Sequence, residues 1–116
     1  MKDQRPNTPV SPTGNHMLKL LLALANPHRL RIVAALRSKG RNYISQLARD
    51  VGISRPLLHL HLQKLEQAGL VTSKLELSGD GKALNFFEVT DFSFELSPAA
   101  IAAAIKSLSS PTTRLD

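Results

Sequence analysis

The sequence predicts a mainly α fold with one small antiparallel β-hairpin, and three observations carry that prediction. Apolar residues recur at helical spacing in five segments between residues 16 and 108. Residues suited to capping and ending helices, Asn, Ser, Pro and Gly, stand at the junctions of those segments. Two alternating segments flank Ser78-Gly-Asp-Gly81, which is turn chemistry.

Composition bounds the rest. With 116 residues, 42% of them apolar, the chain is long enough for one domain with a modest core. Fifteen Lys and Arg against nine Asp and Glu leave a net charge of +6, a balance that favours a polyanionic partner, whether nucleic acid or an anionic membrane surface. No apolar run approaches the ~18 residues of a membrane span, and the N-terminus lacks the apolar segment of a signal peptide. The absence of cysteine excludes disulfides, thiolate metal sites and thiol switches. The expectation is a cytoplasmic domain without a membrane partner.

Residues 1–13, with Pro6, Pro9 and Pro12 among polar neighbours, read as a disordered arm. Residues 14–110 read as the domain, and residues 111–116 as a frayed end. Asn15 is the expected cap of a first helix over residues 16–25. That helix carries Met17, Leu18, Leu20, Leu21, Leu22 and Leu24, too many apolar residues for one stripe. The surplus predicts a second buried face, supplied by another subunit.

Asn26 and Pro27 restart the chain as N-cap and first helical residue. The second helix runs to Ser38-Lys-Gly40, with Leu30, Val33, Ala34 and Leu36 or Arg37 setting its period. Its arginines, with Lys39 and Arg41, read equally as a solvated face or as phosphate contacts. Ser45 is the expected cap of a short helix ending at Gly52, with Leu47, Ala48 and Val51 inward.

Gly52 suits the positive φ that ends that helix, and Ser54 suits the cap of the next. Pro56 falls in the following first turn, where a missing N–H costs little. Leu58, Leu62 and Leu65 recur at i, i+4, i+7 and are predicted to face a core. Pro56, Leu60, Gln63 and Gln67 lie opposite, flanked by Arg55 and His59. Two helices joined by such a turn form a helix-turn-helix, whose second helix enters the DNA major groove. The hairpin behind it, with Lys74 on its first strand and Lys82 at its tip, then reads as a wing. Ser97 and Pro98 open a last helix over residues 99–108, with Ile101, Ala104, Ile105 and Leu108 as its stripe.

Double-stranded DNA is therefore the expected partner. Arg55, Pro56, His59, Leu60 and Gln63 are the candidate base-contacting residues, Arg suiting guanine and Gln adenine. Leu60 suits either a thymine methyl or a protein surface. Ser45, Gln46, Ser54, Lys64, Lys74 and Lys82 are the candidates for the DNA backbone. Two other readings stay open: a winged-helix module for protein contacts, and a nonspecific, chromatin-like DNA binder. No phosphate loop, nucleophile elbow or paired carboxylates point to catalysis, so no catalytic residue and no cofactor is expected.

Several words in the chain resemble the winged-helix repressors of the arsenic-repressor (ArsR/SmtB) family. They are Leu24-Ala-Asn-Pro-His-Arg-Leu-Arg-Ile32, Ile44-Ser-Gln-Leu-Ala48, Val51-Gly-Ile-Ser54 and His61-Leu-Gln-Lys-Leu-Glu-Gln-Ala-Gly-Leu-Val71. The resemblance covers about Leu22 to Leu108. It implies a homodimer paired through first and last helices, with Met17, Leu18, Leu21, Ile101, Ile105 and Leu108 at the interface. It also implies a repressor on a pseudo-palindromic operator, released by an inducer that is often a metal. This chain departs from the family's metal sensors. It has no Cys, residues 98–110 hold no His, Asp or Glu, and His59 and His61 stand two apart on a helix. No metal site is expected. His61 reads as a packed core residue, His16 and His28 as surface or capping residues, and a small-molecule effector is left without assigned residues.

Overall fold

The computed structural model describes residues 11–109. The frayed end expected over residues 111–116, and most of the arm expected over residues 1–13, lie outside them. The elements in order are α1 (Gly14–Leu24), α2 (Pro27–Lys39), β1 (Asn42–Tyr43), α3 (Ile44–Val51), α4 (Arg55–Gln67), β2 (Val71–Leu77), β3 (Ala83–Val89) and α5 (Pro98–Ala104). A 3-10 turn over Ile105–Ser107 follows. Contacts divide the chain, read above as one domain over residues 14–110, into two compact units. One is Ala23–Thr90, and the other joins, among the described residues, 11–22 to 91–109.

The larger unit holds the helix-turn-helix. Asn26 caps α2, its side-chain oxygen accepting from the N–H of His28 (2.8 Å) and of Arg29 (3.3 Å). The expected rotation of α2 is corrected: Ile32 and Leu36 are buried, whereas Leu30 is 54% exposed and Ala34 is exposed. The reason is Arg29, which shares the inward face with Ile32 and Leu36 at i, i+3, i+7. A cation on the core side disguises that stripe in the sequence.

The expected cap at Ser45 is also corrected. Helix α3 starts at Ile44 without a side-chain cap, and Ser45 lies inside it. Asn42 and Tyr43 are extended because they pair with Phe87 and Phe86 of β3, so a strand feeds straight into the helix. The predicted two-stranded hairpin is thereby a three-stranded antiparallel sheet of order β1-β3-β2. The β2–β3 pairing runs from Val71 opposite Val89 to Leu77 opposite Ala83. Leu47, Leu58, Leu62, Leu65, Leu70, Val71 and Phe87 are buried with the inward face of α2.

In the smaller unit Met17, Ala100 and Ala104 are buried together, with Leu21 packed against them. Thr13, not Asn15, caps α1: its hydroxyl accepts from the N–H of His16 at 3.3 Å. Asn15 is used elsewhere, since its amide donates to the Ser109 hydroxyl (2.6 Å) and accepts from the Ser109 N–H (3.0 Å). Ser97 caps α5 as expected, accepting from the N–H of Ala100 at 3.0 Å, with Pro98 behind it. The last helix is shorter than expected, ending at Ala104 before the 3-10 turn. Among the described residues no helix is long and apolar enough to cross a membrane.

Close approach at Gly14 holds this unit together. A Cβ there would stand 2.4 Å from the Ala104 carbonyl oxygen and 2.8 Å from Leu108 Cβ. The Gly14 N–H donates to the Ser107 hydroxyl at 2.9 Å. Alanine would gain helix propensity but would force backbone apart, and overpacking of this kind costs about 1–3 kcal/mol. Gly14→Ala is expected to lower stability by that order, read as a shifted midpoint in urea unfolding; an unchanged midpoint would show that α1 and α5 yield freely.

Candidate nucleic-acid interface

The turn between α3 and α4 is built from local chemistry. Gly52 adopts the left-handed conformation (φ 79°, ψ 35°) and ends α3, its N–H donating to the Ala48 carbonyl. Ser54 is extended and starts α4, its hydroxyl accepting from the N–H of Leu57 at 3.3 Å. Four of the thirteen residues of α4 are buried: Leu58, His61, Leu62 and Leu65. Their burial turns the opposite face outward.

All five candidate base-contacting residues are exposed: Pro56, His59, Leu60 and Gln63 on that outward side of α4, and Arg55 at its first position, on the side of Leu58 and Leu62. Leu60 is 60% exposed. Of the candidates for the DNA backbone, Ser54 and Lys64 are exposed on or beside the same helix, and Lys74 and Lys82 are exposed on the wing. Ser45 and Gln46 are half-buried on α3. Gln46 is already engaged: its amide donates to Asp50 (2.9 Å) and accepts from Arg49 (2.6 Å).

The sequence reading missed that network and another like it. Asp50 also accepts from the Asn42 amide at 3.2 Å and lies 3.4 Å from the Lys39 ammonium. The Gln46 hydrogen bond, ahead of Lys39 and Arg49, holds its carboxyl below the usual range. At the wing, Arg41 grips Glu76 with two hydrogen bonds of 2.7 and 3.0 Å and lies 4.3 Å over the Phe86 ring. This pairing lowers the Glu76 pKa and raises that of Arg41. It ties the α2–β1 connection to β2 rather than offering Arg41 to phosphate. Their only sequence signal was the short run Asn42-Tyr43-Ile44, too brief to show an alternation.

The wing tip is closed by its own side chains. The Ser78 hydroxyl donates to the Asp80 carboxylate, the Lys82 N–H donates to Ser78 (3.2 Å) and Asp80 (3.3 Å), and the Ser78 N–H donates to the Lys82 carbonyl (2.7 Å). The Ser78 hydrogen bond and then the Lys82 amide keep the Asp80 carboxyl low. Lys82 therefore stands on a formed turn.

Charge is unevenly distributed. Between Ala23 and Thr90 lie ten Lys and Arg against five Asp and Glu, a surplus of five positive charges. In the smaller unit Lys19 and Lys106 balance Asp91 and Glu95 over the described residues. That unit instead presents an open apolar groove of about 190 Å3, lined among others by Leu18, Leu21, Ile101, Ile105 and Leu108. Ile101 is 44% and Ile105 56% exposed, whereas Met17 lies beneath them in the packed layer. Among the described residues no group of three or more His, Cys, Asp or Glu is placed to hold a metal ion.

Comparison with known proteins places this arrangement. A family described as "Helix-turn-helix domain" matches residues 24–74. The chain is 38% identical over 78 residues to an uncharacterised HTH-type transcriptional regulator, MJ0229, of Methanocaldococcus jannaschii, covering 67% of this chain and 80% of that one. The chain belongs to the helix-turn-helix transcriptional regulators. It is a DNA-binding regulator of transcription. Its fold is that of the winged helix-turn-helix structures. One is the transcriptional repressor BigR from Xylella fastidiosa, with TM-score 0.55, 24% identity and coverage of 79% of this chain and 82% of that one. Another is a homodimeric winged helix-turn-helix DNA-binding domain from Mycobacterium bovis, described as a possible ArsR-family regulator. It has TM-score 0.55, 24% identity and coverage of 65% of this chain and 64% of that one.

In this regulator α4 is tied to α2 through a histidine. His61 Nδ1 accepts from Arg29 Nε at 3.2 Å, and an Arg29 Nη1 donates to the Ala23 carbonyl at 3.2 Å. The His28 ring, also from α2, lies 5.4 Å from that of His61. Burial first, then Arg29 and His28, push the His61 pKa below its ordinary 6.5. The folded state thus binds this proton less readily than the unfolded state does. Its stability contribution is full above about pH 6.5 and falls as pH drops through that value toward the folded pKa. Unfolding measured from pH 7.5 to 5 is expected to show a smaller loss in His61→Gln than in the unaltered protein; equal slopes would remove His61 as the cause.

Proposed function

We propose that this regulator is a sequence-specific repressor of the arsenic-repressor (ArsR/SmtB) type, acting in the cytoplasm as a homodimer on a pseudo-palindromic operator. One observation carries the specificity: Pro56, His59, Leu60 and Gln63 stand exposed along one side of a helix that a Gly-x-Ser turn presents, with Arg55 exposed at that helix's first position. Arg55 and Gln63 supply the side chains that bond guanine and adenine edges in pairs of hydrogen bonds. Ser54 and Lys64 beside them, Lys74 and Lys82 on the wing, and Ser45 with the second amide N–H of Gln46 on α3 serve the phosphates, which fix position without reading sequence.

The dimer is supported by the apolar groove of α1 and α5, where Leu18, Ile101, Ile105 and Leu108 leave large apolar area uncovered. A second copy would bury that area, together with Leu21 and the edge of Met17. Two half-sites on DNA then follow from the two-fold symmetry of the protein. The homodimeric description of the Mycobacterium bovis structure and the repressor description of BigR agree with this reading. The regulator acts by binding, without a catalytic residue or cofactor, and no residue is assigned to a small-molecule effector.

Three measurements check it. Purified protein is incubated with genomic fragments at physiological salt and excess nonspecific competitor; inverted repeats should be enriched, and salt-sensitive binding without enrichment would mark a chromatin-like binder. Arg55→Ala is expected to cost about 1–3 kcal/mol of binding and to relax one operator position. Unchanged affinity and preference would take Arg55 out of base reading. The double change Ile101→Asp, Ile105→Asp is expected to give monomers in light scattering, because each charge would enter an apolar interface. A surviving dimer would place the interface elsewhere.

A further inference from the structure

Leu60 is central to the exposed face of α4, and its surroundings restrict what it can meet. Helical spacing sets Pro56, Leu60, Gln63 and Gln67 in one outward row, with His59 and Lys64 on its flanks. A protein-binding face would join Leu60 to a broad apolar surface; here its row holds Pro56 and two amides, and the one other exposed apolar neighbour on α4, Leu57, is only 37% exposed and lies beside Lys64. The row lies in the unit with the surplus of five positive charges, beside exposed Arg55 and Lys64. That pattern complements a polyanion.

In a major groove, a leucine over most base edges would cover a polar atom. On guanine that is N7 or O6, on adenine N7 or the amino group, and on cytosine the amino group. A polar group so covered loses water without gaining a partner, which is unfavourable by about 1–3 kcal/mol. Thymine alone presents an apolar group there, its C5-methyl. Gln63 is three residues further on, a rise of about 4.5 Å along the helix, comparable to one base-pair step of about 3.4 Å. Its amide matches the acceptor and donor of adenine.

We infer that Leu60 reads a thymine through its C5-methyl group while Gln63 reads the adenine of a neighbouring pair, so that each operator half-site contains two adjacent A·T pairs. This rests on α4 being the base-reading helix, as proposed above. Leu60 thereby becomes a specificity residue that uses no hydrogen bond, and the site it selects is defined by a methyl group as much as by a pairing pattern.

The test uses the full chain and a binding site recovered by selection from random DNA. Each thymine of that site is replaced in turn by uracil, which lacks only the methyl, and affinity is read by fluorescence anisotropy. At one thymine per half-site the replacement should weaken binding about fourfold, the effect of one buried methyl. That thymine should have an A·T pair beside it. The Leu60→Ala protein, altered outside the core, should bind thymine and uracil sites alike. A recovered site with no methyl-sensitive thymine would overturn this inference and leave sequence-specific reading intact. So would a methyl preference that survives in Leu60→Ala, and unchanged affinity in that variant would return Leu60 to a protein surface. A selection that recovers no preferred sequence would overturn the sequence-specific reading itself, and this inference with it.

Discussion

The burial of one side of α4 is the constraint on which the interface depends. Leu58, Leu62 and Leu65 are among the most completely buried side chains of the molecule. Each fully buried leucine contributes about 1.5–3 kcal/mol relative to exposure, which is a large share of the ~5–15 kcal/mol net stability of a domain. A helix so anchored has no freedom to roll about its axis. The turn at Gly52 and Ser54 fixes where it starts, and the stripe fixes which residues it shows. Arg55, Leu60 and Gln63 owe their exposure to leucines that never touch a partner.

Within that stripe His61 is the one polar member, and it shows how a polar group is accommodated in a core. Its ring accepts a hydrogen bond from Arg29, whose guanidinium also serves the Ala23 carbonyl. An aliphatic residue at position 61 would leave that Arg29 N–H without its acceptor, so the arginine and the histidine explain each other. The bond lies on the same face of α2 as the buried Ile32 and Leu36. Two helices distant in sequence thus share a directional contact in addition to their apolar packing.

Local chemistry was legible in the sequence and long-range chemistry was not. Asn26 with Pro27, Gly52 with Ser54, and Ser97 with Pro98 announced their helix ends because a cap acts within three residues. The stripe of α4 was legible because three leucines at helical spacing admit one inward face. By contrast, Asn15 looked like a cap because its partner, Ser109, lies 94 residues away. Strand β1 was hidden because two residues cannot show an alternation and its reason for being extended is β3. The rotation of α2 was misread because an inward arginine looks like a surface residue until its histidine is found. The exposure of Arg55, Pro56, His59, Leu60 and Gln63 was legible in the helical spacing; the engagement of Gln46 with Asp50, and of Arg41 with Glu76, required the fold.

The separation of charge between the two units has a consequence for how the protein responds to its solution. The basic unit meets its partner through counterion-screened attraction, which weakens as ionic strength rises. The smaller unit is electrically neutral over its described residues and presents apolar surface, whose burial is strengthened by strongly hydrated salts such as sulfate. A single variable therefore acts on the two surfaces with opposite sign. Salt can detach the protein from nucleic acid while reinforcing whatever association its apolar groove supports, so the two equilibria are separable without altering a residue.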